Sequence, residues 1–374
     1  MDLSSIVAID QHAHAMLTDV DSQALPLAAV FTERFTSDLV QHHARQTLSY
    51  SRSLREIAAL LTCDPTEEAI HQCREAIGLE TLTKQCIDAA NLEAILLDDG
   101  FFPKSSLPWD WHQQFTQVYR LIQVETLAER LMAEVDRFDV FLEWFRSELD
   151  PLSHHVIGFT STAAYRTGLD IQWVYPEMAE ACFYEVKQQN GSVQQPIRLT
   201  EKVLIDFLVI EALGIAAQHS IPFQFYAGMS SSIVDVQVLN PLHLRPILEE
   251  ARYQSIPIVL LYGAYPFMRE AGFLSSAYSQ VYVDFGRVVS SFSVRGMRQL
   301  LHSLMERAPL SKILYSSGAY FFPDLFYLGA KWGREVLGQV LDDAVEDGDL
   351  SASDAENGAI AILRGNAQRL YFKG

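Results

Sequence analysis

The chain alternates short runs of apolar residues with longer stretches in which apolar residues recur every three to four positions. Eight runs rich in Val, Ile, Leu and Phe are typical of strands buried on both faces, at 6–14, 92–100, 118–125, 155–161, 221–226, 256–262, 281–285 and 312–316. The intervening stretches have helical spacing, at 53–61, 66–89, 126–149, 173–189, 200–219 and 241–254. Strands that alternate with helices predict a parallel sheet covered by helices.

At 374 residues and 49% hydrophobic content, this pattern predicts an α/β fold, a (β/α)8 barrel of the TIM type that forms a single domain over 1–374. A helical insertion at 27–90 separates the first two strands, and we expect it to act as a lid or a subunit contact; a plain solvated insertion is the alternative. Within it, Thr66 and the acids that follow predict the start of a helix. A doubly wound sheet is the second possibility for the fold, but 11–14 lacks the glycines that such a sheet normally has in its first turn.

The charge balance narrows the class of partner. Lys and Arg number 28 against 47 Asp and Glu, so the formal net charge is −19, which disfavours binding to nucleic acid and to anionic membranes. No apolar run approaches the roughly 20 residues that span a bilayer, and the first residues lack the basic segment of a signal peptide, which predicts a cytoplasmic protein. The four cysteines show no CxxC spacing and are expected to be free thiols.

His12 and His14 end the first predicted strand one residue apart. Alternate side chains of a strand share a face, so both imidazoles can point the same way, about 7 Å apart along the strand. This spacing suits a pair of metal ligands, although a polar strand end would look the same. In a barrel, functional groups gather where the strands end, and we therefore searched the other strand ends for matching chemistry.

Several stretches taken together resemble the amidohydrolase superfamily, in the amidohydrolase-related branch that includes domains fused to glutamine-synthetase-like enzymes. Besides the HxH pair, the resemblance rests on 124–129, 158–169, 221–225, 265–272, 281–286 and 328–333. These stretches extend over nearly the whole chain in the order of the family. The resemblance implies a barrel whose strand ends hold one or two divalent metal ions, which activate water for hydrolysis or, in some relatives, support decarboxylation.

We compared the site positions of the family with this chain one by one. The resemblance implies that His12 and His14 are the pair of metal ligands on the first strand. Five other polar site residues of the family are replaced: an arginine, a lysine, two histidines and an aspartate, in that order along the chain. The residues present instead are Gln123, Thr160, Tyr226, Tyr262 and Gly318. Threonine and neutral tyrosine are poor ligands and glycine offers none, whereas a catalytic divalent ion needs at least three protein ligands.

These replacements favour a barrel that has lost metal hydrolysis and serves as a non-hydrolytic small-molecule-binding protein or partner subunit, with no cofactor. The residues predicted to line its pocket are Thr160, Tyr226, Tyr262, Gly318 and Arg269. The two tyrosines either stack on a small organic ligand or fill the space of an absent metal. Assembly into a homo-oligomer stays open.

Two alternatives retain catalysis. One is metal-free acid–base chemistry, for which the candidates at strand ends or starts are His12, His14, Asp98, Asp99, Glu125, His154 and His155. The other is a metal-dependent hydrolase of the amidohydrolase type that acts on C–N bonds. It would hold zinc, manganese or iron in an atypical shell, with Asp98, Glu125 or a nearby histidine replacing lost ligands.

Most of these residues also have a structural interpretation. Asp98, with Asp99 and Gly100, is ordinary turn chemistry. Glu125 precedes a predicted helix and could interact with its dipole as an exposed acid of the first turn. Arg166 follows the fourth strand and is the best candidate to pair with a carboxylate, either of a ligand or of a neighbouring loop. The same two pairings are open to Arg269.

Overall fold

A computed structural model of the chain describes residues 1–150, 156–190, 197–229, 234–287 and 292–372. It confirms the predicted (β/α)8 barrel, because eight strands form one sheet in chain order with helices between them. The strands are β1 Ala8–His14, β2 Leu92–Asp98, β3 Gln117–Gln123, β4 Val156–Ser161, β5 Phe223–Phe225, β6 Ile258–Leu260, β7 Val281–Asp284 and β8 Ile313–Leu314. The paired registers that are defined run parallel, as in β1 with β2 and β4 with β5.

The α-helices of the described residues are α1 Asp19–Ala24, α2 Leu48–Leu61, α3 Glu67–Ile77, α4 Leu79–Ala90, α5 Val124–Glu134, α6 Phe138–Glu148, α7 Pro176–Asn190, α8 Lys202–His219, α9 Arg245–Glu249, α10 Met268–Ala277, α11 Val294–Met305, α12 Pro323–Glu346, α13 Ala352–Ile360 and α14 Asn366–Tyr371. Short 3-10 turns lie at Leu27–Phe31, Ala44–Gln46, Trp109–Gln114, Ala163–Tyr165, Val236–Leu239, Pro241–Leu244, Ala251–Tyr253, Leu261–Ala264 and Leu310–Lys312. Single π turns lie at Leu39–His43 and Ala361–Gly365. No helix within the described ranges is long and apolar enough to cross a membrane.

The insertion between β1 and β2 is helical. The side chain of Thr66 accepts a hydrogen bond from the backbone N–H of Ala69 and caps α3, as predicted. The stretch 66–89 nevertheless forms two helices, because Gly78 adopts φ +75° between α3 and α4. Glycine takes this left-handed conformation without strain and so allows the chain to change direction there.

The third strand is shorter than predicted. It ends at Gln123, so Glu125 lies in the first turn of α5 and not at a strand end. The side-chain carbonyl of Gln123 accepts a hydrogen bond from the Thr126 hydroxyl at 2.5 Å, which favours the helical turn at this point. The predicted helix 126–149 is interrupted where Val135 is extended, and it continues as α6.

β1 is hydrogen-bonded on two edges. One edge pairs with β2. Along the other edge, the backbone N–H groups of Gln11, His14 and Leu17 donate to carbonyl oxygens within 315–321, at 3.2, 2.8 and 3.0 Å. The segment that follows β8 therefore runs beside β1 and fixes the strand that carries the two histidines.

The chain forms two compact units, residues 1–118 with 284–374 as the first and residues 119–283 as the second. Each has its own apolar core. The largest fully buried side chains include Trp332, Phe285 and Phe326 in the first unit and Phe141, Phe145 and Phe183 in the second.

Candidate metal centre

His12, His14 and Asp98 lie together at the ends of β1 and β2. One potential ligand atom of each residue lies within 4.8 Å of the others. His12 and Asp98 are fully buried and His14 is 4% exposed. Among the described residues, no other group of three His, Cys, Asp or Glu side chains has this geometry.

The pairing of the two strands explains why these residues meet. His14 lies opposite Asp98 in the parallel register. Between Asp10 and Ala13 the register shifts, because β1 has one more residue than β2 over this interval. Such a bulge re-aims side chains, and here it lies beside His12, whose ring centroid is 5.0 Å from that of His14.

Asp98 is both a turn residue and a member of the cluster. Its Oδ1 accepts a hydrogen bond from the backbone N–H of Gly100 at 2.9 Å, which is the turn contact expected for an Asp-Asp-Gly sequence. A carboxylate can accept further bonds while it makes this one. The turn therefore orients the side chain and leaves acceptor capacity toward the histidines.

His14 is held neutral. Burial lowers the pKa of His14 to about 3; the carboxylate of Asp98 opposes this shift, while His12 and the Arg287 guanidinium add to it. A neutral imidazole is the form that binds a metal ion. Two imidazoles and one carboxylate on adjacent strands match the donors that zinc, manganese and iron take from proteins, so the residues present fit a divalent ion.

A second buried carboxylate supports β1 from below the histidines. Asp10 accepts hydrogen bonds from the backbone N–H and the hydroxyl of Ser317, at 2.8 and 2.5 Å. Burial raises the pKa of Asp10 to about 7, and the hydrogen bonds from Ser317 act against this rise. These contacts fasten β1 to the segment after β8.

Asp284, at the end of β7, is a site residue that the sequence reasoning missed. It is fully buried and accepts hydrogen bonds from the Gln11 side chain at 2.8 Å and from the Ser316 hydroxyl at 2.5 Å. The side-chain oxygen Oε1 of Gln11 in turn accepts a hydrogen bond from the Tyr371 hydroxyl at 2.9 Å. An acid that ends a strand within the family-like stretch 281–286 was the available signal.

Aromatic side chains cover the cluster, and sequence reasoning missed these as well. The ring centroid of Phe101 lies 4.9 Å from that of His14 and 5.5 Å from that of Phe321, on which it stacks. Phe102 and Phe35 extend this group outward and are about half exposed, at 46% and 47%. Their positions follow from loops that do not show the periodicity of a helix or strand.

In the second unit, the predicted acid Glu125 makes structural contacts. It is fully buried and accepts hydrogen bonds from the Ser161 hydroxyl at 2.6 Å and from the backbone N–H and hydroxyl of Thr162 at 2.9 and 3.2 Å. Through these hydrogen bonds, Glu125 holds the loop that follows β4, next to the buried residue Thr160.

Arg166 pairs with a carboxylate of its own unit. Its guanidinium contacts Glu129 on α5 and donates to the carbonyl oxygen of Leu199 at 3.0 Å. The same Glu129 carboxylate accepts from the Leu199 backbone N–H at 2.7 Å. The sequence left open whether Arg166 pairs with a carboxylate of a ligand or of a neighbouring part of the chain. The described contacts are of the second kind.

The two tyrosines that replace histidines are buried and in contact. The ring centroids of Tyr226 and Tyr262 lie 5.5 Å apart, and Tyr226 also contacts Tyr165 at 5.4 Å. Tyr226 is 4% exposed and Tyr262 1%. Arg269, by contrast, is exposed on α10.

Gly318 has no room for a side chain. It adopts φ +56°, and a Cβ atom built there would lie 2.8 to 3.0 Å from the backbone and Cβ of Arg287. The aspartate that the resemblance implies at this point therefore does not fit the backbone of this chain. The candidates His154 and His155 lie outside the described residues.

No protein-family model matches the chain. The curated protein fluG of Emericella nidulans is 28% identical over 398 residues, which cover 97% of this chain and 45% of that protein. The chain thus spans less than half the length of this relative.

Solved structures match over nearly the whole chain. A protein of Lactobacillus casei, provisionally described as a metal-dependent hydrolase, has a TM-score of 0.86 at 24% identity, covering 99% of this chain and 97% of that one. Uronate isomerase of Thermotoga maritima has a TM-score of 0.66 at 14% identity, covering 99% and 95%. The fold inferred from the sequence is therefore confirmed: this chain has a (β/α)8 barrel like those of these two proteins.

Proposed function

We propose that this barrel is a metal-dependent hydrolase that holds one divalent ion with His12, His14 and Asp98 and acts on a small organic substrate. The observation that carries the proposal is the buried group of three donors within 4.8 Å. Of the three hypotheses that the sequence left open, the geometry favours the atypical metal shell.

Asp98 removes the main objection to a metal. Two histidines alone would leave a divalent ion without an anionic ligand, whereas Asp98 supplies both the third donor and a negative charge. Three protein ligands are the number found in catalytic zinc sites, which keep a further position for water or substrate. An ion bound there would supply Lewis acidity, which activates water and polarises a carbonyl group.

The surrounding residues keep the three donors in place. The hydrogen bond from Gly100 orients the carboxylate of Asp98, and Asp284 holds β1 through the side chain of Gln11. Phe101 packs against the ring of His14. Such supporting contacts normally change metal affinity by about 10- to 100-fold when they are removed. Hydrolysis of C–N bonds is the reaction implied by the amidohydrolase resemblance, and the description of the Lactobacillus casei protein supports hydrolysis.

Metal analysis tests this proposal directly. Protein stripped with a chelator and dialysed against zinc should retain one ion per chain, and Asp98→Asn should weaken zinc binding by about a hundredfold, since loss of one of the three protein ligands costs roughly 3 kcal/mol. Asp99→Asn is the matched control, because Asp99 is the neighbouring acid outside the cluster. Equal zinc content in both variants, or no zinc in the parent protein, would reject the proposal.

A second candidate function, binding of a small organic ligand without hydrolysis, is favoured by Gly318. The position at which the family has an aspartate has no space for one. A zinc-loaded protein that is stabilised in a thermal-shift screen by amides or amino acids, yet releases no product from them, would support this candidate over the hydrolase.

A further inference from the structure

Arg287 is a largely buried cation at the rim of the candidate metal centre. Its side chain is 18% exposed, and its guanidinium carbon lies 5.7 Å from the centroid of the Tyr320 ring. Tyr320 contacts Phe101 at 5.9 Å, and Phe101 contacts His14 at 4.9 Å. The charge of Arg287 also contributes to the lowered pKa of His14, so it lies within electrostatic reach of the cluster.

The backbone places Arg287 there through Gly318. Arg287 has φ +58°, and its N–H donates to the carbonyl oxygen of Ser317 at 3.1 Å. Any side chain at 318 would collide with Arg287, since a Cβ would lie 2.8 Å from its backbone nitrogen. The close approach of Arg287 therefore depends on the absence of a side chain at Gly318.

The guanidinium already holds a carboxylate from its own chain. Nη2 of Arg287 lies 3.0 Å from Oε2 of Glu33, in the segment between β1 and β2. The Glu33 side chain is 40% exposed. Because Glu33 is the more exposed partner, solvent screens this ion pair, and a carboxylate from solution has access to the position that Glu33 occupies.

We propose that Arg287 binds a carboxylate group of the substrate in the place that Glu33 occupies, and that the substrates of this barrel are small organic carboxylates. A planar guanidinium with several donors suits this group, because it can form two parallel hydrogen bonds with a carboxylate. The presence of a scissile bond in the ligand rests on the proposed hydrolase function, whereas the anion site does not.

Benzoate and its neutral analogue benzamide are suitable probes, titrated calorimetrically into zinc-treated protein. Benzoate should bind at millimolar concentration or below, and at least about tenfold more tightly than benzamide, as expected for a charge-assisted pair. Arg287→Gln should weaken benzoate binding by a similar factor. Glu33→Gln should tighten it by about two- to fivefold, because an intramolecular competitor is removed.

Arg45→Gln is the matched control. Arg45 forms a comparable ion pair with Glu67 in the same insertion, with an N–O distance of 2.9 Å, and its loss should leave benzoate binding unchanged. The opposite directions expected for Arg287→Gln and Glu33→Gln separate binding from a general loss of fold, which would weaken both.

Benzoate binding that is absent, or that is insensitive to Arg287→Gln, would overturn this inference. Zinc content, measured on the same samples, separates the two proposals. One zinc per chain without Arg287-dependent benzoate binding rejects the carboxylate site alone. Arg287-dependent binding in a protein that retains no zinc supports the carboxylate site and rejects the hydrolase.

Discussion

The strand ends of the two units differ in how their charged side chains are used. In the first unit, His12, His14 and Asp98 converge and face one another. In the second unit, Glu125 is fully engaged by the loop after β4, and Arg166 is paired with Glu129. The first unit therefore brings three potential ligand side chains together, next to Asp10 and Asp284, whose contacts support β1. In the second unit the described contacts of Glu125 and Arg166 stabilise loops.

The proposed metal site and most of the replaced positions lie in different units. Four of the five replaced positions belong to the second unit, and the fifth, Gly318, belongs to the first. In the first unit the two histidines remain, and Asp98, on the strand next to β1, supplies a third donor. A site built from adjacent strands depends less on distant parts of the barrel for its geometry.

Glu125→Ala tests this contrast with the largest expected effect. It leaves three buried donors from Ser161 and Thr162 without their acceptor, which should lower the free energy of unfolding by about 3 kcal/mol while zinc content stays unchanged. Asp98→Asn should do the reverse, with loss of zinc and a change in metal-free stability of about 1 kcal/mol or less. Urea denaturation of chelator-treated protein measures the first quantity and elemental analysis the second.

Glu134→Ala, an exposed acid on the same helix α5, is the control for Glu125 and should change stability by less than about 0.5 kcal/mol. Loss of zinc from Glu125→Ala would contradict the proposal that metal binding belongs to the first unit and that Glu125 only stabilises the second.

Gly318→Asp asks whether the implied aspartate can be restored. The left-handed φ and the collision with Arg287 should together destabilise the protein by about 2 kcal/mol, and metal content should not rise. Thermal unfolding and metal analysis check both points. Ser351→Asp, an exposed helix-capping position far along the chain, provides a control in which the added charge should be tolerated. A stable Gly318→Asp protein that takes up a second ion would show that the site was never closed to this residue.

An effect confined to acidic pH is expected from a histidine that serves the fold. His112 accepts a hydrogen bond from the Met16 N–H at 3.1 Å and contacts the Pro108 carbonyl oxygen at 3.0 Å. Burial lowers the pKa of His112 to about 4, and the hydrogen bond to Pro108 opposes this shift. Because the folded state resists protonation, its stability should decline as pH falls from about 6.5 toward 4, by about 2 kcal/mol at pH 5.

His112→Gln should remove this part of the pH dependence without loss of zinc, whereas His42→Gln, at an exposed position, should leave the dependence as it is. Stability curves between pH 4 and 7 that are identical for the parent and His112→Gln would contradict the assignment.

The fold could be predicted because its determinants are local. Eight continuous apolar runs marked the strands, and the capping signal at Thr66 marked a helix start correctly. The HxH spacing also sufficed to place His12 and His14 on one face of β1. Where the local signal was mixed, prediction failed: Glu125 was placed at a strand end, but β3 ends at Gln123 and α5 begins at Val124.

The sequence named Asp98 as one of several candidate ligands, but spacing could not single it out. Asp98 is 84 residues from His14 and meets it only because the register of β1 and β2 places the two opposite each other. Asp284 reaches the first strand through the side chain of Gln11, and Arg287 reaches the segment after β8 through Ser317; the sequence carries no periodic signal for either contact. The conformation of Gly318, which decides what can replace it, is likewise a property of the folded backbone.

The hydrogen bonds on both edges of β1 have a consequence for metal uptake. Since its amides are engaged both by β2 and by 315–321, the strand is rigid before any ion arrives. Ligands that are ordered in advance lose little conformational entropy on binding, so the affinity of the centre for an ion is not reduced by a folding step. Hydrogen–deuterium exchange at His14 should accordingly be slow and nearly the same with and without zinc.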